Sequence, residues 1–317
     1  MNKKRTVAVL GVGHVGAHCA YSIAVQGLAD EIVLVDMNEQ KIISECQDLM
    51  DSVAYFPHRV RVRTGDFADL KDCDILVNST GDIKLLRETL DRQTEMDFTI
   101  RAVNSYMDKV MKSGFDGIII NITNPCDVVT AQIAKLSGLP RGRVFGTGTG
   151  LDTSRLLSAL ARHTGIDHKS ISGYMMGEHG AAQMVPWSAV SFNGKPLNEW
   201  AKEDKRFQFD RDEVKKEAIG AGWVTFSGKQ CTEYGISTTL ARLVRIVYCD
   251  EKVIMPVSAG LDGEYGEKDL FVGVPAVIGA GGVEEIVQIN MTPEEKDEFK
   301  KCCDNVREYM QRATQMK

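Results

Sequence analysis

The first half of the chain alternates short apolar runs with longer stretches of helical hydrophobic spacing. Strands are predicted at TVAVLG, EIVLVD, RVRTG, DILVNST, GIIINIT and residues 144–147. Helical patterns lie between them, over residues 14–26 and 93–112 among others. Several of the strands are continuously apolar instead of alternating, which is typical of a parallel sheet covered on both faces. The pattern therefore predicts an α/β domain built on a doubly wound parallel sheet.

The pattern changes after residue 147, and we place a domain boundary there, between residues 1–147 and 148–317. Asn193-Gly194 is a hairpin signal, which indicates antiparallel strands in the second half. Thr292, Pro293 and Glu295 form a capping box that begins the last helix. Other predicted helices cover residues 152–163 and 211–248, the latter interrupted at Gly228, and predicted strands cover 171–176, 186–192, VIMPVS, DLFVGVPAVIG and VEEIVQIN. We expect a mixed α/β domain with an antiparallel sheet.

Composition narrows the range of functions. The 317 residues are 43% hydrophobic and 26% charged, as in ordinary globular proteins, and the net charge of −6 argues against a nucleic-acid partner. The apolar uncharged stretch at residues 270–283 is shorter than the roughly 18 residues of a membrane span. Eight scattered cysteines form neither a CxxC pair nor a metal-ligand spacing, so we expect reduced thiols and no metal site. The chain reaches a glycine loop by Gly11, too soon for a secretory hydrophobic region, so we expect a cytoplasmic location.

A glycine-rich run carries the first functional signal. Gly11-Val12-Gly13-His14-Val15-Gly16 is a G-x-G-x-x-G motif between a predicted strand and a predicted helix. This context predicts a Rossmann dinucleotide site, in which the glycines let a pyrophosphate approach the backbone at the helix N-terminus. Asp36 ends the next strand, 20 positions after Gly16, where its carboxylate can accept both ribose hydroxyls and would repel a 2′-phosphate. NAD is therefore favoured over NADP.

Further motifs run along nearly the whole chain. They are NPCDVV from Asn124, GTGTGLDTSR ending at Arg155, GEHG around His179, and the TPEE helix start. With GVGHVG and Asp36 they resemble the L-lactate and L-malate dehydrogenases, which are NAD-dependent enzymes of 2-hydroxy acids. Within that family the chain is most similar to the L-2-hydroxyisocaproate dehydrogenases, through STGDIKL, SGFDG and SGYMMGEHG.

The resemblance implies a catalytic set whose chemistry suits the residue types. Reduction of a 2-keto acid needs a proton donor with a pKa near the working pH, and His179 matches that position. Asp152 matches the carboxylate that orients the histidine, and Arg155 matches the planar clamp for the substrate carboxylate. The alternatives are a core histidine at His179, a helix N-cap at Asp152 and a surface arginine at Arg155.

The family also carries an arginine on a mobile loop, which polarises the substrate carbonyl when the loop closes. Direct counting back from Arg101-Ala102-Val103-Asn104 places Glu95 where the family has this arginine, so the loop differs in length from that of lactate dehydrogenases. We choose Arg92, because an Asp-Arg pair followed by Phe98-Thr99 resembles the hydroxyisocaproate enzymes. Arg87 is the alternative, and a helix-capping surface arginine is possible for either.

Residues early in the same loop select the substrate tail in this family. Here they are Lys84, Leu85 and Leu86, and the leucines would leave a second carboxylate without a partner. We therefore expect an aliphatic or branched 2-keto acid, although Lys84 keeps malate open and the leucines could pack only against protein. The family match adds Asn124 and Thr232 as substrate contacts, and Asn124-Pro125 is a candidate cis peptide. The predicted cofactor residues are Gly11, Gly13, Val15, Gly16, Asp36, Lys41, Gly81, Ile122, Asn124, Thr147 and Ile236.

The resemblance also implies partners. Family members are usually dimers or tetramers, so we expect a homo-oligomer that binds a small 2-keto or 2-hydroxy acid. Bacterial lactate dehydrogenases activated by fructose 1,6-bisphosphate carry an arginine and a histidine where this chain has Leu157 and Ser172. We therefore expect no such activation. The rival interpretations are a true L-lactate or malate dehydrogenase, an NAD-binding protein that has lost catalysis, and a metal-dependent hydrolase, for which the sequence shows no ligand cluster.

Overall fold

The computed structural model of the chain describes residues 4–81 and 92–315, and it describes the side chains of the second range from residue 95 onward. The loop predictions on Lys84, Leu85, Leu86 and Arg87, and the side chain of Arg92, therefore lie outside the described residues. Within the described part of the chain, no helix has the length and apolar character needed to cross a bilayer.

Strands and helices alternate in the first half, and short strands are frequent in the second. The strands are β1 Thr6–Leu10, β2 Glu31–Val35, β3 Arg61–Thr64, β4 Ile75–Asn78, β5 Ile118–Asn121, β6 Val144–Gly146, β7 Ile171–Ser172, β8 Met176–Gly177, β9 Gln183–Met184, β10 Ser191–Phe192, β11 Lys195–Pro196, β12 Val253–Asp262, β13 Lys268–Gly279 and β14 Gly282–Ile286. The α-helices are α1 His14–Val25, α2 Glu39–Val53, α3 Arg92–Lys112, α4 Cys126–Ser137, α5 Gly150–Thr164, α6 Leu197–Glu203, α7 Arg211–Lys229, α8 Tyr234–Cys249 and α9 Pro293–Thr314.

One large sheet organises the molecule. Strands β3, β2, β1, β4, β5 and β6 lie side by side in that order and are all parallel, which confirms the predicted Rossmann-type arrangement. The antiparallel strands of the second half extend the same sheet, because β12 pairs with β6 where Ser258 faces Gly146. β13 then pairs with β12, β14 and β8. Strands β7, β10 and β11 form a separate small sheet.

Several predicted elements need correction. Within residues 186–192 only Ser191–Phe192 is a strand, because Trp187–Ala189 form a 3₁₀ helix after Pro186. The predicted break at Gly228 lies instead at Gln230, which adopts a left-handed conformation at the end of α7. The last strand ends at Ile286 and not within VQIN. The Asn193-Gly194 hairpin and the capping box at Thr292 and Glu295 are confirmed.

Both faces of the large sheet are covered by helices. Fully buried residues of α1, such as Ile23, and of α8, such as Leu243, pack on one side. On the other side, Ile100 and Val110 of α3 and Ile133 of α4 pack against β1, β4 and β5. Because the parallel strands are covered on both faces, their carboxyl ends form one open edge, where the glycine loop and the segments after β2, β4, β5 and β6 meet.

Candidate active site

The glycine loop after β1 has the shape of a pyrophosphate cradle. Gly11 has a φ of +88°, and a Cβ atom there would lie 2.6 Å from the Ser79 carbonyl oxygen. A Cβ atom on Gly16 would lie 2.0 Å from the Gly11 carbonyl oxygen, so this glycine lets α1 pack against the loop. A Cβ atom on Gly13 would meet no protein atom within 4 Å. Gly13 therefore faces open space at the N-terminus of α1, where a phosphate is favoured.

Asp36 lies beside this loop, as a ribose-binding carboxylate should. Its Oδ2 accepts a hydrogen bond from the Val12 amide at 2.7 Å, and its Oδ1 accepts one from the Asn38 amide at 2.9 Å. The carboxylate is therefore held at the carboxyl end of β2, next to the glycine turn. The glycine loop and Asp36 together fit an NAD molecule.

Two adjoining cavities continue from the glycine loop. The first, about 140 Å³, is lined by Gly13, Val15, Gly81, Ile122 and Asn124 among others. The second, about 290 Å³, shares Val15, Ile122 and Asn124 with it and is also lined by Ile236. These residues belong to the predicted cofactor set, and the peptide bond between Asn124 and Pro125 is cis, as predicted.

Beyond Gly11, Gly16 and Asp36, two further residues of the predicted cofactor set do not line these cavities. Lys41 is on α2, where its Nζ atom pairs with the Glu45 carboxylate one turn later. Thr147 is buried after β6, and its amide donates to the Asn121 carbonyl oxygen. The structure thus gives both residues protein partners. Their contact with the cofactor, like that of the rest of the set, stays a prediction.

His179, Asp152 and Arg155 meet in the second cavity. Asp152 and Arg155 lie in the first two turns of α5, three residues apart, and His179 lies in the loop between β8 and β9. His179 Nδ1 is 2.5 Å from Asp152 Oδ2, and Arg155 Nη1 donates to Asp152 Oδ1 at 2.8 Å. The three predicted catalytic residues therefore form one hydrogen-bonded group that opens onto the cavity.

Burial and charge act against each other in this group. Burial disfavours the Asp152 carboxylate, but His179 and Arg155 outweigh it and hold the pKa of Asp152 below its ordinary value. Burial likewise disfavours the imidazolium, yet the charge and hydrogen bond of Asp152, with the charge of Asp127, raise the pKa of His179 above 6.5. An ionised carboxylate thus stabilises a histidine that can carry a proton near neutral pH.

Helix α7 forms a largely apolar wall of the second cavity that sequence reasoning missed. Its lining residues Ile219, Gly222, Trp223 and Phe226 follow helical spacing, a signal that was available in the sequence. A Cβ atom on Gly222 would lie 3.3 Å from Arg155 Nη1, so this glycine provides room beside the guanidinium. The lining also includes Cys231 and the predicted substrate contact Thr232.

Glu95 also lines both cavities. It lies in the first turn of α3, at the position that direct counting assigned to the family's loop arginine, and its carbonyl oxygen accepts from the Thr99 hydroxyl. Because α3 begins at Arg92, this helix connects the segment that carries Arg92 to the cavity lining at Glu95. Among residues 4–81 and 92–315, no group of three or more His, Cys, Asp or Glu side chains could hold a metal ion.

Two family models match the chain. The one described as lactate/malate dehydrogenase, NAD binding domain, covers residues 5–146, and the one described as lactate/malate dehydrogenase, alpha/beta C-terminal domain, covers residues 149–317. L-lactate dehydrogenase 3 of Bacillus thuringiensis subsp. konkukian is 42% identical over 308 residues, which is 96% of this chain and 97% of that protein. L-lactate dehydrogenase of Fusobacterium nucleatum subsp. nucleatum is 38% identical over 314 residues, 98% of each chain.

Solved structures agree. A lactate dehydrogenase enzyme from a Medee basin deep-sea metagenome library superposes with a TM-score of 0.93 at 29% identity, covering 98% of this chain and 99% of that one. The ligand-bound minor L-lactate dehydrogenase of Enterococcus mundtii gives a TM-score of 0.89 at 33% identity, with 98% of each chain covered. With the cofactor cradle, these matches make the chain an NAD-dependent oxidoreductase of 2-hydroxy acids. The protein belongs to the lactate/malate dehydrogenase family.

Proposed function

We propose that the protein is an L-2-hydroxy acid dehydrogenase that reduces aliphatic 2-keto acids, including branched ones such as 2-ketoisocaproate. The observation that carries the proposal is the group of His179, Asp152 and Arg155 in a cavity that has an apolar wall on α7 and lies next to the dinucleotide cradle. When bound, NADH supplies the hydride for the keto carbon. The protein must supply the proton, the carboxylate contact and the exclusion of water.

His179 supplies the proton. Its Nδ1 atom is engaged by Asp152, so the Nε2 atom is left to face the substrate carbonyl and donate the proton that becomes the hydroxyl hydrogen. Asp152 keeps the ring in this orientation and stabilises the protonated form, because its carboxylate stays ionised. In the direction of oxidation, the neutral imidazole accepts the same proton.

Arg155 binds the substrate carboxylate. One of its terminal nitrogens is used by Asp152, and the guanidinium faces the second cavity beside Gly222. A planar guanidinium binds a carboxylate through two parallel hydrogen bonds, which fixes the orientation of the keto group. We further propose that Asn124 and Thr232 contact the substrate and that Arg92 polarises the carbonyl after loop closure, with Arg87 as the alternative.

The cavity walls support an aliphatic side chain on the substrate. Ile219, Trp223, Phe226 and Ile236 are apolar, and Gly222 leaves room where a larger residue would narrow the cavity. A second substrate carboxylate against these walls would cost several kcal/mol unless a cation met it. Leu85 and Leu86 would add to the apolar surface on the loop side, and Lys84 is the cation that could favour a dicarboxylate.

L-lactate dehydrogenase proper is the second candidate. Relatives that are 38–42% identical over nearly the whole chain carry that name. Pyruvate needs the same proton donor and carboxylate clamp and differs only in the short tail. The two candidates are therefore separated by substrate preference and not by the catalytic group.

The remaining features of the proposal concern organisation. We propose that residues 1–147 bind NAD and residues 148–317 supply the substrate-binding side chains, in a cytoplasmic homo-oligomer. We also propose that fructose 1,6-bisphosphate does not activate it. Leu157 and Ser172 line one surface cavity with Arg242, and Arg242 is already paired with Glu251 at 2.7 Å. Stimulation of activity by the sugar bisphosphate would contradict the proposed lack of activation. Light scattering of the purified protein measures the oligomeric state.

NADH oxidation with a panel of 2-keto acids tests the substrate. The panel runs from pyruvate through 2-ketobutyrate to 2-ketoisocaproate and phenylpyruvate, with oxaloacetate as the dicarboxylate. The highest kcat/KM with a branched or longer acid supports the proposal, and the highest with pyruvate supports lactate dehydrogenase. A preference for oxaloacetate would overturn the aliphatic assignment and implicate Lys84.

A further inference from the structure

A second buried carboxylate holds the loop of His179. The main-chain amide of His179 donates to Asp127 Oδ2 at 2.8 Å, while its ring is bound to Asp152. The two carboxylates come from different parts of the chain, because Asp127 is on α4 and Asp152 is on α5. His179 is therefore fixed from two sides, once through its backbone and once through its imidazole.

Asp127 is placed where a buried charge can persist. Its side chain is 2% exposed, and it lies in the first turn of α4, where the helix dipole favours an anion. Burial raises the pKa of Asp127 to about 6, and the Ser258 hydroxyl, the His179 amide and the charge of His179 oppose that rise. Asp127 is thus ionised at neutral pH and above, next to the histidine.

The other end of the His179 loop is held independently. Glu178 Oε2 accepts from the Ala182 amide at 2.8 Å and from Asn305 Nδ2 of α9 at 3.1 Å. These contacts close the loop but do not touch His179 itself. The hydrogen bond to Asp127 therefore connects the backbone of His179 to the first half of the chain.

The position of Asp127 in the sequence gives this contact a consequence. Asp127 follows Asn124 by three residues, and Asn124 lines both cavities of the site. The path from Asn124 to Asp127 to the His179 amide is short and runs through a buried helix start. A displacement of α4 would therefore shift the cavity wall at Asn124 and the proposed proton donor His179 together.

We propose that Asp127 is a positioning residue that fixes His179 relative to the cavity wall at Asn124. Asp127 also adds a second negative charge to the environment of the His179 imidazole. This inference rests on the proposed role of His179 as the proton donor. Among the described residues, the charged groups around His179 are Asp152 and Arg155 of α5 and Asp127 of α4. Glu178 lies next to it in its own loop, and Glu95 of α3 lines the same cavity. Of these groups, Asp127 is the one that accepts a hydrogen bond from the main-chain amide of His179.

Two substitutions separate the two effects. Asp127→Asn keeps a side-chain oxygen that can accept from the His179 amide but removes the charge. Asp127→Ala removes both the acceptor and the charge. Glu267→Gln is the matched control, because Glu267 is a buried carboxylate that pairs with Arg307 of α9 and not with the active site.

The measurements are steady-state reduction of the best 2-keto acid from pH 5.5 to about 9 and an NMR titration of histidine-labelled protein. His179→Gln identifies the His179 signal among the six histidines. We expect Asp127→Asn to keep a near-normal kcat at low pH, with the His179 titration and the fall in activity both moved to lower pH. We expect Asp127→Ala to lower kcat about tenfold or more at every pH, because the proton donor is misplaced. Glu267→Gln should change neither.

The NMR titration keeps the inference separate from the proposed function. If the wild-type protein reduces no 2-keto acid, the proposed function fails, but the His179 titration still reports the charge of Asp127. An unchanged His179 titration in folded Asp127→Asn overturns the electrostatic part. An unchanged kcat in folded Asp127→Ala overturns the positioning part. If that variant does not fold, a tenfold loss of kcat at low pH in Asp127→Asn overturns it, because this variant keeps an acceptor for the His179 amide and should therefore keep the histidine in place.

Discussion

The carboxylate of Asp152 binds His179 with one oxygen and Arg155 with the other, at 2.5 Å and 2.8 Å. A single buried side chain therefore sets the position of both the proposed proton donor and the proposed carboxylate clamp. A 2-keto acid presents a carbonyl next to a carboxylate, so two side chains that share one partner suit the two groups of one substrate unit. This shared partner explains why a substitution at Asp152 should affect two kinetic constants at once.

Replacing Asp152 with Asn should lower kcat roughly 100-fold, within the range for loss of acid–base catalysis. The amide cannot stabilise the imidazolium, and its NH₂ group can hold the wrong histidine tautomer. KM for the keto acid should rise as well, because Arg155 loses its anchor. Steady-state kinetics with NADH checks this, and Asp36→Ser serves as a control that should weaken NADH binding without this effect on keto acid KM. A fall in kcat with an unchanged KM would show that Asp152 does not hold Arg155.

Reduction of keto acids should slow as the pH rises through the pKa of His179. Asp152 and Asp127 raise that pKa above 6.5 against the effect of burial, so the acid form is kept through neutral pH and lost on the alkaline side. Oxidation of the hydroxy acid should show the opposite trend, because it needs the neutral imidazole. The measurement is kcat/KM in both directions across the pH range. Parallel profiles in the two directions would contradict the assignment of His179.

Gly13 and Gly16 should respond differently to the same substitution. Gly13→Ala adds a methyl group to open space, so the protein should fold normally while the Kd for NADH rises about tenfold or more because the pyrophosphate is blocked. Gly16→Ala forces a methyl group against the Gly11 carbonyl and should cost about 2 kcal/mol of folding stability. Fluorescence titration with NADH and urea denaturation measure the two effects. Equal loss of stability in both variants would show that Gly13 is not a ligand-facing position.

Gly222→Ala should narrow the substrate cavity. The new methyl group would lie 3.3 Å from Arg155 Nη1, so it crowds the clamp and reduces the room for a branched tail. We expect kcat/KM for 2-ketoisocaproate to fall about tenfold more than that for pyruvate, the range of one methyl group in a pocket. Gly220→Ala on the same helix is the matched control, because a Cβ atom there meets nothing within 4 Å. Equal losses for both acids would place the substrate tail elsewhere.

Local patterns in the sequence predicted much of this structure. The continuous apolar strands and the G-x-G-x-x-G turn predicted the parallel sheet and the cofactor cradle, since each depends on neighbouring residues. The capping box at Thr292 and Glu295 placed the start of α9 at its observed residue. The triad of Asp152, Arg155 and His179 came from motif resemblance, and the structure brings the three together.

Other features depend on contacts between distant segments. The pairing of Ser258 with Gly146, which joins the antiparallel strands to the parallel sheet, leaves no local signal in either strand. The 3₁₀ turn at Trp187–Ala189 replaces part of a predicted strand, and its Ser188 amide and hydroxyl donate to the Glu295 carboxylate, 107 residues away. Asp127 was missed because its partner, the backbone amide of His179, is 52 residues away and any residue type offers one.

Single-turnover oxidation of bound NADH by the wild-type protein and by His179→Gln tests the central claim most directly. With 2-ketoisocaproate and pyruvate, the wild type should oxidise NADH in one fast phase, and the variant should be at least roughly 100-fold slower while its Kd for NADH stays within about twofold. That result would identify His179 as the proton donor of a 2-keto acid reductase. A variant that oxidises NADH at the wild-type rate would contradict the account, as would a wild type that binds NADH but reduces neither acid.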